Sequence, residues 1–286
     1  MFRWIVLLHV IHAHAINVNG RTFKIERGDC TTREYSYNDV MHVFESHRIA
    51  WNIMGRDDPW WSVWTRSDFK GTDLPASAKR EFYESGVALV DSTLRSLNVS
   101  GGRVLDLGCG LGRLSLALAS HFEEVVCLDQ SYYHLKTAKK ETFLYDRERA
   151  SRLTFKLSSP RMLDVLDEGS FDFIISFITL QHMVTELQVI YIEHLCDVLK
   201  KDGKGYFQIP AHIPNQPRDV HCDHLDTDFS KTFPGGMEMH YTPLTAIRHH
   251  LRKRGCMILS HSENDHIGIY GSSSPGIFFK KTLTVT

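Results

Sequence analysis

The chain has 286 residues, enough for one large α/β domain or for a core domain with a smaller attached piece. Hydrophobic residues make up 42% and charged residues 23% of the sequence, close to the averages for globular proteins, which excludes a disordered or fibrous chain. The formal net charge of -1 provides no general basic field, so nucleic acid is not the default partner.

The N-terminal 37 residues carry two competing patterns. Residues 1–15 contain an early positive charge, a short apolar run and an Ala-His-Ala sequence that imitates a signal cleavage site. Residues 16–18 and 21–25 flank an Asn-Gly dipeptide, a strong signal for a type I′ hairpin turn. No apolar stretch approaches the roughly 20 residues of a membrane span. We expect a hairpin extension over residues 1–37, no membrane span and a cytoplasmic location, with secretion through a short signal as the alternative.

A helical cap is predicted over residues 38–100. Its helices are expected at 38–54 and 78–97. Between them, residues 57–64 include three tryptophans within five positions. Buried aromatic side chains dominate protein cores, so packing between the cap and the main domain is the simpler interpretation. The alternative is a lid over a substrate.

From residue 101 onward, strands and helices alternate. The expected strands are 104–107, 124–128, 153–157, 171–178, 205–209, 256–260 and 276–280. The expected helices are 111–122, 132–145, 186–200 with Thr185 and Gln188 at capping-box spacing, and one that begins with Thr242 as N-cap and Pro243 at its first position. Residues 211–237 are polar and rich in Pro, His and Asp. The alternation predicts an α/β domain over 101–286, with a mostly parallel sheet covered by helices on both faces.

The cysteines give no sign of a disulfide scaffold or a zinc site, because no CxxC spacing occurs. We expect reduced thiols at all six: Cys30, Cys109, Cys127, Cys196, Cys222 and Cys256. Residues 221–224 (His-Cys-Asp-His) imitate metal ligands, but their neighbours are typical of a loop. We therefore predict no metal.

A glycine-rich turn follows the first strand of the α/β domain. The strand contains Asp106, and Gly108, Gly110 and Gly112 follow at the edge of the sheet where ligands bind in such folds. Glycine lets a ligand approach the backbone, and we expect exposed amide groups of the turn to face that ligand. The dinucleotide pattern GxGxxG fails at Arg113. A carboxylate at Asp106 would pair with the ammonium of a methionine moiety but would repel a pyrophosphate, so we expect a cationic ligand.

Asp129 ends the second strand of the domain. An acidic side chain there can accept hydrogen bonds from both hydroxyls of a ribose. This placement suits a dinucleotide and a nucleoside ligand equally. The alternative is an ordinary surface turn residue.

In these features the sequence resembles the class I S-adenosylmethionine-dependent methyltransferases, over roughly residues 50–281. The matching segments are 104–118 (VLDLGCGLGRLSLAL), 124–131 (EVVCLDQS), 170–183 (SFDFIISFITLQHM), 206–210 and 237–281. The tryptophan-rich element and residues 82–86 look like the N-terminal cap of a bacterial-type branch. The resemblance implies a Rossmann-like doubly wound sheet with an antiparallel C-terminal strand, and S-adenosylmethionine as cofactor.

The resemblance also implies roles for individual residues. Asp106, Gly108 and Gly110 would hold the amino acid end of the cofactor, Asp129 the ribose, and Gln130 would flank the adenine. Gly112, Ser158 and Phe177 complete the expected cofactor-binding set. Many members of this family place an acid just after the third strand to bind the adenine amino group, whereas this chain has Ser158 and Ser159 there. We expect Ser158 or a backbone carbonyl to substitute.

Methyl transfer from a sulfonium needs mainly alignment of the acceptor, and a base only when the acceptor arrives protonated. His182, just past the fourth strand, is the candidate catalytic base, with packing or helix capping as its alternative role. His240 is a second candidate. The expected substrate is a small molecule or peptide methylated on O or N. The alternatives are a non-catalytic S-adenosylmethionine-binding sensor or partner subunit, and a nicotinamide-dependent oxidoreductase, which Arg113 disfavours.

Overall fold

A computed structural model describes residues 22–27, 30–213, 237–262 and 273–283. The strands are β1 (Thr22–Arg27), β2 (Cys30–Ser36), β3 (Arg103–Leu107), β4 (Glu124–Asp129), β5 (Leu153–Leu157), β6 (Phe171–Ser176), β7 (Leu199–Gln208), β8 (Cys256–His261) and β9 (Gly276–Lys281). The helices are α1 (Tyr37–Asp57), α2 (Pro59–Val63), α3 (Ala76–Leu97), α4 (Arg113–Leu118), α5 (Tyr132–Tyr145), α6 (Arg147–Ala150), α7 (Thr185–Val198) and α8 (Leu244–Lys253).

The main sheet has seven strands in the order β5-β4-β3-β6-β7-β9-β8. Neighbouring strands from β5 to β7 pair in parallel, and β9 runs antiparallel to both β7 and β8. The expected mostly parallel, doubly wound sheet with an antiparallel C-terminal strand is confirmed. The reversal of strand order between β3 and β6 leaves a crevice at the carboxyl ends of the central strands, where ligands bind in open α/β sheets.

The central strands are buried on both faces, as parallel sheets with helices on each side require. Alternate residues of β3 enter different cores: Leu105 and Leu107 pack in the cluster with α7 and α8, and Val104 packs in the cluster with α3 and α4. This period of two, inside an almost continuous apolar run, is why the strand lies between two helical layers.

The structure describes one hairpin near the N-terminus, formed by β1 and β2. β1 pairs antiparallel with β2, from Thr22 opposite Ser36 to Arg27 opposite Cys30. Strand 21–25 of the prediction corresponds to β1, but the partner strand β2 was not predicted. The Asn-Gly turn at 19–20 and the rest of residues 1–21 lie outside the described residues, and the boundaries at 37/38 and 100/101 remain predictions.

The cap consists of α1, α2 and α3. A capping box fixes the start of α1, because the Asp39 amide donates to the Ser36 hydroxyl (3.2 Å) and the Ser36 amide donates to the Asp39 carboxylate (3.0 Å). Pro59 occupies the first position of α2, where a missing amide hydrogen carries no penalty. The helices predicted at 38–54 and 78–97 are confirmed, each a few residues longer.

The expected capping box at Thr185 is wrong. Val184 is the N-cap of α7 and makes no side-chain cap hydrogen bond, while the Thr185 hydroxyl donates to the carbonyl of Tyr241 (3.1 Å). Similarly, Pro243 replaces Thr242 as the residue before α8. In both places the hydroxyl that the pattern assigned to a helix end is used between segments that are distant in sequence.

The expectation of reduced thiols is wrong for one pair of cysteines. Cys196 on α7 and Cys256 on β8 form a disulfide, with their Cα atoms 6.1 Å apart. They are separated by 60 residues and meet because α7 and β8 pack in the same core, which no spacing rule reveals. Cys109 and Cys127 are free and buried. Within the described ranges, no helix is long and apolar enough to cross a membrane.

Candidate functional site

A cavity of about 360 Å³ lies at the carboxyl ends of β3, β4 and β6. The sheet contributes Asp106 from β3, Asp129 from β4 and Phe177 just after β6. The cap closes the opposite side with Trp51 and Trp64. The cavity therefore stands at the switch point of the strand order and is formed jointly by the cap and the sheet.

The glycines of the β3–α4 turn all have positive φ, at +75° for Gly108, +53° for Gly110 and +76° for Gly112. A side chain at each would meet protein atoms rather than empty space. The blocking side chains are, in the same order, Thr179 after β6, Val63 at the end of α2, and Thr142 on α5. The three glycines thus allow the turn to contact three other elements. Gly108 and Gly110 line the cavity, while Gly112 serves the packing of α4 against α5.

The amide groups of this turn are used within the protein, contrary to the expectation that they face a ligand. The Gly108 and Cys109 amides donate to the carbonyl of Leu128, at 2.7 and 3.2 Å. The Gly110 amide donates to the Asp129 carboxylate at 2.9 Å, and the Gly112 amide to the Cys109 carbonyl at 2.8 Å. These four amides are therefore satisfied within the protein, which leaves side chains and carbonyls as the polar groups that the turn and its surroundings can offer to a ligand.

Asp106 is 2% exposed and lines the cavity. The Ser115 hydroxyl donates to one oxygen of its carboxylate at 2.6 Å. Burial raises the pKa of Asp106 to about 6, and the charge of Asp129 adds to this, while the Ser115 hydrogen bond and the charge of Arg113 lower it. A buried carboxylate with one hydroxyl partner is well suited to a cationic group in the cavity, since such a group would offset the desolvation.

Asp129 is held in place by two backbone amides. One carboxylate oxygen accepts from Gly110 (2.9 Å) and the other from Ser131 (2.8 Å). Each oxygen keeps a further lone pair, so the pair of oxygens can still accept two hydroxyl hydrogens. Gln130 follows directly and also lines the cavity.

Ser158 occupies the position after β5 where an acid was missing. Its hydroxyl lies 2.8 Å from the phenol oxygen of Tyr191 on α7. The Tyr191 phenol in turn donates to the carbonyl of Ser159 at 2.7 Å. Burial raises the pKa of Tyr191, so the phenol stays protonated. Ser158 and Tyr191 both line the cavity and form a neutral, hydrogen-bonding wall.

His182 lies in a short 3-10 segment after β6, packed 5.3 Å from the ring of Trp51. Its Nδ1 is 2.8 Å from the carbonyl oxygen of Glu238. Because a carbonyl can only accept, Nδ1 carries the proton and Nε2 the lone pair. Burial lowers the pKa of His182 to about 4, against the Glu238 hydrogen bond, so the ring is neutral at pH 7. His240 lies nearby, 3.0 Å from the Glu238 carboxylate, but does not line the cavity.

The tryptophans of the cap lie both in its core and beside the cavity, and a lid over a substrate stays a prediction. Trp60 is fully buried and packs edge-to-face on Phe82 with ring centroids 5.1 Å apart. Trp64 and Trp51 line the cavity. The buried ring of His134 on α5, 2.7 Å from the Ser62 hydroxyl, ties α2 to the sheet domain beside the cavity.

The structure brings most of the predicted site residues to the same cavity. Those that line it are Asp106, Gly108, Gly110, Asp129, Gln130, Ser158, Phe177 and His182. Sequence reasoning missed Trp51, His134 and Tyr191, which also line it. Nothing in the local sequence pattern around Tyr191 distinguishes a core tyrosine from one whose hydroxyl borders a cavity.

The metal-like residues 221–224 lie outside the described residues. Among the side chains that the structure does describe, no group of three or more His, Cys, Asp or Glu is placed to hold a metal ion.

Residues 104–203 match a family model described as a methyltransferase domain. The chain is 30% identical over 118 residues to a ubiquinone biosynthesis O-methyltransferase of Xanthomonas campestris pv. campestris, a match that covers 41% of this chain and 46% of that protein. The chain thus spans about half the length of the curated relatives it matches. The family-model match, over residues 104–203, includes the glycine turn and the strands β4, β5 and β6.

Two solved structures share the fold. The magnesium protoporphyrin IX methyltransferase of Synechocystis PCC 6803 with bound SAH has a TM-score of 0.55 at 19% identity, covering 82% of this chain and 98% of that chain. The cyclase SpnF has a TM-score of 0.52 at 14% identity, covering 85% and 95%. At these identities the likeness concerns the fold alone, and the two names show that this fold carries more than one reaction.

Proposed function

We propose that this protein, whose residues 104–203 match a methyltransferase domain family, binds S-adenosylmethionine and transfers its methyl group to an oxygen or nitrogen acceptor. The observation that carries the proposal is the pair of carboxylates, Asp106 and Asp129, at one cavity on adjacent parallel strands. They flank a glycine turn whose amides are satisfied within the protein. A dinucleotide would place its pyrophosphate against Asp106, which the buried carboxylate opposes.

The residues present fit this cofactor. Asp106 would accept the ammonium of the methionine end, and the free lone pairs of Asp129 would accept the ribose hydroxyls. Gln130 and Ser158 would border the adenine, with Ser158 held by Tyr191 in place of an acid. When bound, S-adenosylmethionine supplies a methyl group that its sulfonium has already activated.

His182 is the proposed base. Because Nδ1 is committed to the Glu238 carbonyl, Nε2 carries the lone pair. The Gln181 side-chain amide lies 3.3 Å from Nε2 and donates to it, so an acceptor hydroxyl would take the place of that contact. Trp51 packs against the ring. A low pKa makes His182 neutral, and therefore able to accept a proton, throughout the neutral range. Its basicity is weak, so its main effect would be to orient an acceptor hydroxyl and take its proton as the new bond forms.

The proposed acceptor has an apolar body. The cavity wall opposite the acidic residues is built from large hydrophobic side chains: Trp51, Val63, Trp64, Ile178 and Met183. A small molecule or a short peptide side chain fits such a wall, and the name of the curated relatives favours an oxygen acceptor. Among the described residues that line the cavity, Arg113 is the only arginine or lysine, which does not favour a nucleic acid backbone as acceptor.

A second candidate function is a non-catalytic S-adenosylmethionine-binding sensor or partner subunit. The weak basicity of His182 favours it, since a protonated acceptor would receive little help from this residue. Both candidates predict cofactor binding, and only the first predicts turnover.

We propose a cytoplasmic location. The Cys196–Cys256 disulfide instead favours the secretory pathway, because disulfides persist mainly in oxidising compartments. Alkylation of free thiols in freshly lysed cells, followed by mass measurement, shows whether Cys196 and Cys256 are reduced or oxidised in the cell. The result helps to distinguish a cytoplasmic from a secretory location. A location in the secretory pathway follows if the pair is fully oxidised and the protein co-fractionates with secreted material.

Calorimetry with S-adenosylmethionine and its demethylated product is the first experiment. The wild type should bind both, and Asp129→Ala should weaken binding about 10- to 100-fold, as expected when hydrogen bonds to a charged group are lost. Asp91→Ala is the matched control, since this carboxylate lies outside the cavity and contacts His121. Absence of binding by the wild type refutes both candidate functions.

Incubation of a cell extract with cofactor labelled in its methyl group is the second experiment. Transfer of label by the wild type supports the enzyme and eliminates the non-catalytic candidate. His182→Gln should lower kcat with little change in cofactor affinity, because Nε2 would contact the acceptor. His121→Gln, a histidine outside the cavity, should leave kcat unchanged.

A further inference from the structure

The outward face of α5 carries charge of one sign. The buried side chains of this helix share its other side: His134, Leu135, Ala138, Glu141 and Thr142. The outward face exposes Lys136, Lys139 and Lys140. Glu141 is the single acid of α5, and on the buried side it pairs with Lys79 at 3.0 Å. Among these three lysines, only Lys140 lies within ion-pair distance of an acid in the described part of the chain, 3.5 Å from Glu141. The face is therefore basic.

Large apolar side chains stand at both ends of the same face. Tyr132 and Tyr133 begin it, with exposed fractions of 55% and 38% and ring centroids 5.5 Å apart. Phe143 and Leu144 end it, at 49% and 68%. The guanidinium carbon of Arg147, on α6, lies 5.0 Å from the centre of the Phe143 ring. Single exposed apolar residues are ordinary on a protein surface, whereas four on one helix face form a patch that indicates binding.

The patch continues onto α1. Ile49 and Ile53 lie one turn apart on that helix and are 55% and 37% exposed. The Tyr132 amide donates to the side-chain oxygen of Asn52 at 2.9 Å, which holds the start of α5 beside this turn of α1. These two isoleucines and the exposed residues of α5 are here called the basic apolar patch.

The arrangement of charged and apolar side chains in the patch indicates the kind of partner. The centres of protein–protein interfaces are depleted in lysine, whereas here three lysines occupy the middle of the helix face. A nucleic acid backbone would contact the lysines but leave Phe143 and Leu144 in water. A bilayer that contains anionic lipids accommodates both, because lysine ammonium groups attract the lipid phosphates while apolar side chains enter the boundary between headgroups and acyl chains.

The surroundings of α5 are compatible with lipid. Strand β5 is the edge strand of the sheet beside α5, and an open groove between the two elements has Leu153 and Phe155 in its walls. The exposed lysines and Phe143 line the same groove, so an acyl chain in it would have apolar contacts below and cations at its rim.

We propose that the basic apolar patch binds the surface of an anionic lipid bilayer, with α5 lying in the plane of the membrane. The inference goes beyond the proposed function and does not depend on it. The patch borders the cavity, because the Ser131 hydroxyl, next to Tyr132, donates at 3.1 Å to the carbonyl of Trp51, a residue of the cavity wall. Bound in this way, the protein holds its cavity close to the lipid phase.

Co-sedimentation of the full chain with vesicles tests the proposal. Vesicles of phosphatidylcholine alone are compared with vesicles of phosphatidylcholine mixed with phosphatidylglycerol. The wild type should bind the mixed vesicles more tightly, and added salt should weaken this binding because it screens the lysines. Lys136→Gln, Lys139→Gln and Lys140→Gln together should weaken it about 100-fold, since each lysine near an anionic surface contributes about 5-fold. Phe143→Ser with Leu144→Ser should weaken it about 10- to 100-fold.

Two matched controls separate the patch from exposed lysines and apolar residues in general. Lys70→Gln, Lys200→Gln and Lys201→Gln together remove three exposed lysines of other elements. Met257→Ser with Leu259→Ser removes two apolar side chains of β8 that are 46% and 44% exposed. Both controls should bind the mixed vesicles as the wild type does.

Several results would overturn the proposal. One is a wild type that does not bind the mixed vesicles, and another is an equal loss of binding in the controls and in the patch variants. Loss with the lysine variant but not with the serine pair would indicate an acidic protein or a nucleic acid as partner. A wild-type dimer in sedimentation velocity that the serine pair dissociates, without vesicle binding, would show that the patch joins two copies of the chain. If the serine pair does not fold, Leu144→Ser alone decides, because Leu144 is the most exposed of the four apolar residues of α5.

Discussion

Gly108→Ala tests whether the glycine turn is required for contact between protein segments. Gly108 has φ +75°, and a Cβ there would lie under 3.0 Å from side-chain atoms of Thr179. Gly101 is the matched control, because its φ is +78° and a Cβ there would have no neighbour within 4 Å. Both substitutions impose the left-handed backbone on alanine, but only one adds a collision.

The expected magnitudes follow from these two terms. A non-glycine residue in the left-handed region costs about 1–2 kcal/mol, which is the whole expectation for Gly101→Ala. Forcing extra atoms into a packed site costs about 1–3 kcal/mol more. Gly108→Ala should therefore destabilise the protein by about 2–5 kcal/mol.

Urea unfolding, with Thr179→Gly as partner in a double-mutant cycle, measures the collision directly. Removing the Thr179 side chain should restore most of the stability that Gly108→Ala loses beyond Gly101→Ala. The coupling energy between positions 108 and 179 should then be about 1–3 kcal/mol. The reasoning is wrong if Gly108→Ala costs no more than Gly101→Ala, or if the cycle shows no coupling. The turn would then owe its glycines to the ligand rather than to the protein.

Further predictions concern groups with displaced pKa values or buried hydroxyls. Burial raises the pKa of Asp106 from 3.8 to about 6, so its ionisation costs stability as pH rises through this interval. Asp106→Asn should therefore be up to about 3 kcal/mol more stable than the wild type at pH 7.5 and gain almost nothing at about pH 3, while its cofactor binding by calorimetry is lost. Burial raises the pKa of Glu193, but hydrogen bonds and the charges of the basic side chains around it outweigh this and hold the pKa at about 2. Glu193→Gln should therefore lower the free energy of unfolding in urea by up to about 3 kcal/mol at pH 7, and this loss should shrink as pH falls from 4.5 towards 2. Tyr191→Phe should cost about 1–2 kcal/mol of stability and weaken cofactor binding, because Ser158 loses the phenol beside it.

The order of elements could be predicted because it depends on local signals. Helix α5 and strand β5 match their predicted bounds, since the apolar period and the flanking turn residues agree there. The predicted helix 111–122 is shorter in the structure, at Arg113–Leu118. Its beginning belongs to the glycine turn, whose positive φ values arise from contacts with other segments. Sequence reasoning therefore located the cavity but gave the turn amides the wrong role.

Side-chain partners across the fold were beyond prediction for a physical reason. Thr185 and Gln188 have the spacing of a capping box, but Gln188 makes other contacts. Its side-chain amide nitrogen donates to the carbonyls of Leu180 and His240, at 3.0 and 3.1 Å. The side-chain oxygen of Gln188 accepts from the Thr242 hydroxyl. A local cap would satisfy one helix amide. The observed network instead joins buried polar groups of three segments that are distant in sequence.

The tryptophan-rich element shows the same limit at the site itself. Helix α2 is only five residues long, so a rotation of one residue exchanges the side chains that face the core and those that face the cavity. Trp60 packs among Phe82 and Tyr83, and this anchoring directs Val63 and Trp64 to the cavity wall. Core packing and contact with the cavity are therefore not alternatives in this cap, because the buried Trp60 orients the half-buried Trp64. On the proposed function, substitutions that change the acceptor should arise at Val63 and Trp64 while Trp60 stays fixed.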